Sequence, residues 1–488
     1  MNNVPSIKLL IVSQHATLKE ALLIIDKNAQ GIVFVIDEHS HLVGVLSDGD
    51  IRRLLLRGVV LTEPVMLGMQ KIFVFRPVTT PSEELAKLLN ERVRYIPLVD
   101  ENNILVDYAC LHRLHQIPIM EPSLSGNEIE YVTECIKTNW ISSQGTFVRK
   151  FESIFGEYCG CSNALAVSNG TVALHLALVA LNIGPGDEVI VPDLTFAASI
   201  NAVLYTGATP VIVDIHPDTW TIDPAEIEKK VTPRTKAIMP VHLYGHPCHM
   251  DEIILIAQKH NLCIVEDCAE ALGSMYKGKR VGAFGEVAAF SFFGNKTITT
   301  GEGGMVVFRD KETYNRAKKL RDHGMSPTKR YWHDEVGFNY RMTNMQGAIG
   351  VAQMERVDVF VAAKKHIAQT YNKSLSKIQG ITLPPQAEWA FNTYWLYTLV
   401  IDPSVVIGRD ELMKKLLLNG VETRQVFYPL HEMPPYKKFG LGNYPISDYV
   451  SQNGMSLPSS VGLSDQALNT ITKALETVFK TRTLVLES

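Results

Sequence analysis

Several short segments that follow strand-like sequence carry side chains able to bind phosphate, hold a negative charge or form a covalent bond. Each stands where a run typical of a buried strand gives way to the next loop or helix. Sheets with helices on both faces place their chemistry on the loops beyond the carboxyl ends of the strands, so these junctions predict a site. The residues concerned are Ser168, Asn169, Gly170 and Thr171, then Asp267, then Ser291 and Lys296.

Residues 168–171 directly precede the helical pattern VALHLALVALN. The free N–H groups and the positive dipole end of a helix start favour a bound anion such as phosphate. The same four residues also form an ordinary helix cap, so this segment alone leaves both interpretations open.

Asp267 ends the strand-like run LCIVED, where its carboxylate can face a heterocyclic nitrogen or cap the next helix. Lys296 lies in SFFGNKTITTGEGG, whose glycines permit close backbone approach, although a lone lysine is ordinarily a surface residue. A phosphate cradle, a buried acid and a lysine are together the three requirements of pyridoxal phosphate. Their combination predicts this cofactor.

The elements that position these residues alternate from about residue 127 onward. Continuous apolar runs such as DEVIVP and TPVIVDI alternate with helical patterns such as DEIILIAQKHN, which is typical of a parallel-rich sheet covered on both faces. We predict this large domain over residues 127–375. A smaller α+β domain is predicted over residues 376–488, with WLYTLVID as a strand and two helices.

Residues 1–116 show a βαββα pattern twice. The first copy runs through ATLKEALLIIDKN, GIVFVID, HLVGVLS and DIRRLLLRG, and a weaker second copy ends in the helical turn LHRLHQ. The following segment, residues 117–126, carries proline and glycine and is predicted as a linker.

From about residue 117 to the C-terminus the chain resembles the nucleotide-sugar aminotransferases of the DegT type. These belong to fold type I of the pyridoxal-phosphate enzymes, which implies a mostly parallel seven-stranded sheet with helices on both faces. The segment SFFGNKTITTGEGG is similar to that of GDP-perosamine synthases in particular.

The resemblance implies roles for individual residues. Lys296 is the implied Schiff-base lysine and the base that moves the substrate proton, and Asp267 is the implied partner of the pyridinium nitrogen. Glu270 falls near the cofactor hydroxyl, and Phe196 matches an aromatic residue that stacks on the ring, with core packing as its alternative. The implied phosphate ligands are Gly170, Thr171 and Ser291.

Three further residues are implied at the edges of the site. Asn339, in GFNYRMTN, matches an asparagine that reaches the phosphate from a neighbouring subunit, which implies a homodimer or a higher homo-oligomer. Arg424 and His431, in ETRQVFYPLHEMPPY, match a substrate-binding region, and a solvated polar role is the alternative for each.

The implied reaction is a ping-pong transamination. L-glutamate donates the amine, and the acceptor is a nucleotide-linked 4-keto-6-deoxyhexose, with GDP-4-keto-6-deoxymannose giving GDP-perosamine. A sugar dehydratase of the same cofactor class is an alternative, but related dehydratases carry histidine where this chain has Lys296. A catalytically idle nucleotide-sensing protein is the other alternative, and the complete set of cofactor residues argues against it.

The repeat in residues 1–116 resembles a pair of cystathionine-β-synthase-type (CBS) regulatory domains. In that family a Ser or Thr and an Asp three residues later bind the ribose of an adenine nucleotide, which implies Ser47 and Asp50 here. The second copy has Asp107 and Cys110 at these positions, so at most one ribose site is expected. Regulation by a nucleotide and a spacer or dimerisation role both remain open.

The composition of the chain excludes further classes of protein. The 488 residues carry a net charge of -4, which offers no basic surface for nucleic acid. No apolar run is long enough for a membrane span and the N-terminus lacks the features of a signal peptide, so we expect a cytoplasmic protein. The seven cysteines are expected to be reduced, and the spacing of Cys159 and Cys161 does not fit a zinc site, so no metal is predicted.

Overall fold

The computed structural model describes residues 7–90, 92–110, 117–402 and 407–486. The chain divides into two compact units, residues 1–116 and residues 117–488. No helix in these described ranges is both long and apolar enough to cross a membrane.

The N-terminal unit contains two small sheets built in the same way. In each, the first strand pairs in parallel with the second, and the second pairs antiparallel with the third. This common order confirms the predicted repeat, whereas the predicted helical turn at residues 111–116 lies outside the described residues. The strands are Ile11–Ser13, Ile32–Ile36 and Leu42–Ser47, then Arg76–Pro77, Tyr95–Val99 and Leu105–Cys110, and the helices are Leu18–Asn28, Asp48–Leu56 and Ser82–Leu88.

Helix starts in this unit follow from local sequence. Thr17 and Glu20 form a reciprocal capping box at the first helix, and Ser47 and Asp50 form another at the second. Each box satisfies N–H groups that a helix start leaves without partners.

The C-terminal unit is built on a seven-stranded sheet. Five neighbouring strands are parallel, and only Gly304–Phe308 runs antiparallel to both of its neighbours in the described sheet. Residues 292–303 contain no helix, so this connection returns the chain directly, as antiparallel pairing allows. Across the sheet the strands are Ala164–Val167, Gly304–Phe308, Val287–Ser291, Cys263–Asp267, Thr235–Ile238, Glu188–Pro192 and Thr209–Val213.

Helices cover both faces of this sheet, as predicted. Val189 and Val191 pack in one core cluster with the helix Gly170–Ala180, whereas Ile190 between them packs in another with Met250–His260. The alternation is that of a strand buried on both faces. The helices of this unit are Glu128–Lys137, Thr146–Tyr158, Gly170–Ala180, Ala197–Tyr205, Pro224–Lys230, Met250–His260, Lys311–Arg321, Asn344–Met354, Val357–Leu375, Arg409–Leu418, Pro445–Asn453 and Asp465–Leu486.

A second, antiparallel sheet of four strands lies in the C-terminal part, where we predicted a smaller α+β domain. Its core also includes the last turns of the helix Val357–Leu375 and parts of the helices Arg409–Leu418 and Asp465–Leu486. The strands, in spatial order, are Ile381–Thr382, Tyr397–Ile401, Gly454–Leu457 and Arg424–Gln425.

Residues 117–126, which we predicted as a linker, are part of the C-terminal unit. The Ile117 N–H donates to the carbonyl of Gly420 at 2.7 Å, and the buried Ile119 donates to the Glu422 carboxylate at 3.0 Å. The proline and glycine residues correctly indicated irregular backbone. The long-range hydrogen bonds that fix this backbone have no local sequence signal.

Candidate active site

A cavity of about 630 Å³ lies beyond the carboxyl ends of the parallel strands. Residues from widely separated parts of the chain meet there because parallel strands end at one edge of the sheet. The structure brings together in its lining seven of the predicted cofactor residues and one predicted substrate residue, namely Gly170, Thr171, Phe196, Asp267, Glu270, Ser291, Lys296 and Arg424.

The helix Gly170–Ala180 starts at one end of this cavity, and the Asn169 side chain caps it by accepting from the Val172 N–H at 3.0 Å. A Cβ atom on Gly170 would lie 2.7 Å from the Cβ of Ser291, so only glycine allows the helix start and this serine to approach so closely. The helix N–H groups and the serine hydroxyl together form a cradle suited to a phosphate group.

Asp267 is the last residue of its strand and is only 4% exposed. The Ser199 hydroxyl donates to its carboxylate at 2.8 Å, and the Ala269 N–H donates at 3.1 Å. Burial nevertheless raises the pKa of Asp267. A cationic group bound in the cavity would favour the ionised carboxylate, as a protonated ring nitrogen does.

Lys296 lines the same cavity, and its side chain is 13% exposed. Its Nζ atom lies 3.6 Å from the Glu270 carboxylate, which also accepts from the Tyr244 N–H at 3.0 Å. Burial lowers the pKa of Lys296, although Glu270 and Asp267 oppose this. A lower pKa increases the share of neutral amine, which is the form that attacks a carbonyl carbon.

An aromatic row forms one wall of the site. The Phe196 ring lies 5.8 Å from that of Phe427, which stacks on Tyr244 at 5.5 Å, and Tyr244 stacks on Trp395 at 6.1 Å. Phe196 is 58% exposed, so core packing does not account for it. Its ring is free to stack on a planar ligand.

These residues fit pyridoxal phosphate on structural grounds alone. The cradle at Gly170 and Ser291 suits its phosphate, the buried Asp267 suits its ring nitrogen, and the Lys296 amine in the same cavity suits covalent attachment.

Residues 122–476 match the DegT/DnrJ/EryC1/StrS aminotransferase family, and residues 2–57 match the CBS domain. The chain belongs to the DegT/DnrJ/EryC1/StrS aminotransferase family. It is therefore a sugar aminotransferase that depends on pyridoxal phosphate, with a CBS domain at its N-terminus.

Two relatives and one solved structure illustrate the similarity. This aminotransferase is 48% identical over 366 residues to GDP-perosamine synthase of Caulobacter vibrioides, covering 75% of this chain and 99% of that protein. It is 49% identical over 350 residues to GDP-perosamine synthase of Escherichia coli O157:H7, covering 72% and 95%. The PLP form of Spr1654 from Streptococcus pneumoniae is 29% identical, with a TM-score of 0.71 and coverage of 75% and 99%. The predicted fold class, enzyme class and cofactor are confirmed.

Two of the predicted cofactor and substrate residues lie outside the cavity lining of this aminotransferase. Asn339 is exposed, in a segment that bridges to Asp322. His431 is held by the fully buried Asp193, whose carboxylate accepts from the His431 backbone N–H at 2.9 Å and lies 2.7 Å from Nδ1. The His431 ring also stacks on Tyr444 at 4.6 Å, so the structure gives this histidine packing contacts rather than a place in the cavity.

Ser47 and Asp50 of the N-terminal unit do come together, as predicted. Asp50 accepts from the Ser47 backbone and hydroxyl, from Arg53 at 2.6 Å and from Gln70 at 3.0 Å. Several of these hydrogen bonds lower the pKa of Asp50 even though burial acts to raise it. The carboxylate therefore already has protein donors on both oxygens.

Several residues of the site were not predicted from the sequence. Ser199 lies one helical turn after Phe196, and this spacing is a usable signal. Trp395 comes from a segment whose pattern indicated only a strand, and Phe427 lies in the segment from which only Arg424 and His431 were singled out. Behind Asp267, the fully buried Glu266 accepts from three backbone N–H groups at 2.7–2.8 Å and lies 3.1 Å from the His242 ring. This network fixes the end of the strand that carries Asp267.

Proposed function

We propose that this enzyme transfers an amino group from L-glutamate to C4 of a nucleotide-linked 4-keto-6-deoxyhexose, converting GDP-4-keto-6-deoxymannose to GDP-perosamine. The observation that carries the transamination is the convergence of Lys296, Asp267 and the Gly170 helix start on one cavity. The choice of sugar is supported by the relatives named GDP-perosamine synthase, at 48% and 49% identity. Such a product points to polysaccharide biosynthesis, including O-antigen.

Pyridoxal phosphate, when bound, supplies an aldehyde that captures the donor amine and a ring that accepts an electron pair. Lys296 in its neutral form is the nucleophile that joins the chain to that aldehyde. Once released, its Nζ atom would take the proton from the α-carbon of the donor and pass it to the cofactor carbon that receives the amine. In the second half-reaction Nζ would move the proton back, from that carbon to C4 of the sugar. Glu270, 3.6 Å away, would hold Nζ in place for both transfers.

The other groups of the site hold and orient the bound cofactor and substrate. Asp267 would keep a positive charge on the ring nitrogen of the bound cofactor, and the Gly170 helix start would hold its phosphate. Arg424 lines the cavity beside them and provides a fixed cation for the carboxylate of the donor or the diphosphate of the sugar nucleotide. The aromatic row excludes water on one side.

Peptide mapping tests the central assignment. Borohydride reduction of the holoenzyme should place the pyridoxyl group on Lys296, and Lys296→Ala should lose it because the cavity lining offers no other amine. Lys279→Ala is a control, since that lysine lies outside the lining. A pyridoxyl group on Lys279 or another lysine would contradict the assignment.

A mass-spectrometric screen tests the substrate. Nucleotide keto sugars with guanine, uracil and thymine bases are incubated with glutamate and the enzyme, and the aminated product is identified. We expect a 4-amino product from the GDP sugar. A dehydrated product without nitrogen would favour the dehydratase alternative instead.

We also propose a homodimer in which Asn339 completes the partner's site. Asn339 is exposed outside the cavity of its own chain, and nearby apolar residues Tyr331, Trp332 and Val336 are 74%, 53% and 91% exposed. A second copy would cover this surface. Co-expression of Lys296→Ala with Asn339→Ala should restore activity, because a mixed dimer then has one intact site. Absence of restoration would show that Asn339 acts within its own chain or not at all.

We propose further that the N-terminal unit binds an adenine nucleotide and modulates the enzyme. The CBS match over residues 2–57 and the adjacent Ser47 and Asp50 side chains support this role.

We propose a cytoplasmic location as well. All seven cysteines lie in the described part of the chain and are free, which supports this location.

A further inference from the structure

We propose that Trp395 is a positioning residue for Lys296, and that the buried Lys364 holds Trp395 in place. The inference rests on the proposed role of Lys296 and is independent of the identity of the sugar. It concerns two residues that lie about seventy to one hundred positions away from the lysine in sequence.

Trp395 contacts the lysine and its loop at two points. The Lys296 Nζ atom lies 3.7 Å from the centre of the indole ring, which is within the range of a cation–π contact. The indole N–H donates to the carbonyl of Asn295 at 2.7 Å, which fixes the loop residue next to the lysine. Trp395 is itself only 3% exposed, so the ring has little freedom to move.

Lys364 fixes the backbone of Trp395 from the other side. Its Nζ atom donates to the Trp395 carbonyl at 2.9 Å and to the Ser459 carbonyl, and it lies 3.4 Å from the sulfur of Met120. The side chain is 1% exposed, and burial holds the pKa of Lys364 well below its usual value. A buried amine is costly unless it makes its hydrogen bonds, so its retention here needs a structural reason.

The strand register supplies that reason. Tyr397 pairs with Leu457 at the end of the antiparallel strands Tyr397–Ile401 and Gly454–Leu457. Trp395 and Ser459 each lie two residues beyond this pair, where the ladder has ended. The Lys364 amine donates to both carbonyls and therefore holds the ends of the two strands together, in place of a further hydrogen bond between them.

The arrangement affects Lys296 in two ways. The indole face stabilises the cationic form of the amine, which burial disfavours, and it restricts the rotation of a long side chain. Loss of Trp395 should shift the amine toward its neutral form and loosen its placement. Loss of Lys364 should do the same indirectly, by releasing Trp395.

The test labels Lys296 in the full-length apoprotein with trinitrobenzenesulfonate and quantifies the modified peptide across a pH series. The variants are Trp395→Phe, Trp395→Leu and Lys364→Met, with Lys373→Met as a matched control because Lys373 is exposed on the same helix. Thermal unfolding of each variant shows that it is folded. The KM and kcat of the holoenzymes are measured separately.

We expect Trp395→Leu to move the labelling profile to lower pH, so that labelling below the pKa becomes about 2- to 30-fold faster, the equivalent of one cation–π contact. Trp395→Phe should fall between Leu and wild type, because its ring face is a weaker partner. Lys364→Met should move the profile in the direction of Trp395→Leu and lower kcat more than it raises KM. Lys373→Met should match wild type.

An unchanged profile for Trp395→Leu would overturn the inference, and so would a rate increase of equal size at every pH, which would indicate exposure alone. An unchanged labelling profile for Lys364→Met would show that Lys364 does not hold Trp395 in place. If Lys364→Met unfolds, Lys364→Gln is measured in its place. Its shorter side chain keeps an N–H donor but cannot span both carbonyls, so we expect a smaller shift in the same direction, and an unchanged profile would count against Lys364. Because the readout is in the apoprotein, it stands even if peptide mapping places the cofactor on another lysine.

Discussion

Replacing Asp267 by asparagine separates the charge of this residue from its shape. Ser199 and Ala269 now donate to different oxygens of the carboxylate, at 2.8 Å and 3.1 Å. The amide oxygen can still accept from the Ala269 N–H, and the amide NH2 can donate to the Ser199 hydroxyl oxygen, so both partners are kept while the negative charge is lost. Asp267→Asn should therefore retain the cofactor but slow both half-reactions, because a neutral amide does not stabilise a cationic ring nitrogen.

The size of this effect follows from the burial of the pair. A hydrogen bond to a charged group contributes about 1.5–3 kcal/mol, against about 0.5–1.5 kcal/mol for a neutral one. In a site where Asp267 is 4% exposed, the difference of about 1–2 kcal/mol corresponds to rates roughly 5- to 30-fold slower. Single-turnover kinetics with glutamate and with the keto sugar measure the two halves separately. Unchanged rates in both would refute the role of Asp267.

The same substitution should stabilise the apoprotein. Burial raises the pKa of Asp267, so the folded state binds a proton more tightly than the unfolded state. Stability is then lost as the pH rises from the ordinary carboxyl pKa through the raised value. Asp267→Asn removes this loss, so its advantage in denaturant unfolding should be larger at pH 8 than at pH 4. An advantage that does not depend on pH would show that Asp267 is not strained by burial.

Two further substitutions test the assignments at Gly170 and His431. Gly170→Ala places a Cβ atom 2.7 Å from that of Ser291 and should weaken cofactor binding by about 5- to 150-fold in equilibrium dialysis, whereas Gly462→Ala, in open space, should not. His431→Ala leaves the buried Asp193 without its main side-chain partner. It should lower the free energy of unfolding by about 3–5 kcal/mol with little change in the KM for the sugar. A large rise in KM without loss of stability would support a place for His431 in the substrate site.

The sequence patterns predict a site residue most directly where a single segment carries both the element and the chemistry. Asp267 ends a strand and Gly170 starts a helix, and both positions are visible from local periodicity. His431 illustrates what a local pattern leaves out. Its segment pointed to the substrate, but its partner Asp193 lies 238 positions earlier, and a local pattern contains no information about such a contact.

Trp395 shows a second limit. The run WLYTLVID indicated a strand, and a strand is observed at Tyr397–Ile401. The residue that faces Lys296 lies just before that strand, and its position depends on Lys364 and on the end of another strand. Such positions follow from tertiary packing, which overrides what propensity can predict.

The nucleotide response of the N-terminal unit gives the last prediction, and the contacts of Asp50 determine how it must be tested. Asp50→Ala would remove the reciprocal half of the capping box with Ser47 and so weaken the helix start, which would make a lost response ambiguous. Gln70→Ala keeps the box and removes one donor, at 3.0 Å, from the Asp50 carboxylate.

A ribose hydroxyl that binds at Asp50 has to compete with Gln70 or Arg53, because both already donate to the same oxygen. Gln70→Ala should therefore tighten adenine-nucleotide binding in calorimetry while turnover without nucleotide stays unchanged. If nucleotide binding is coupled to catalysis, typical couplings of about 1–3 kcal/mol change the apparent substrate affinity about 5- to 150-fold. A chain starting at Ile117 should still transaminate but should not respond to the nucleotide. Nucleotide binding that is unaffected by Gln70→Ala would place the ligand away from Asp50. No binding to the intact chain would leave the N-terminal unit with a structural role, because a ligand can shift the balance between two states only if it binds one of them more tightly.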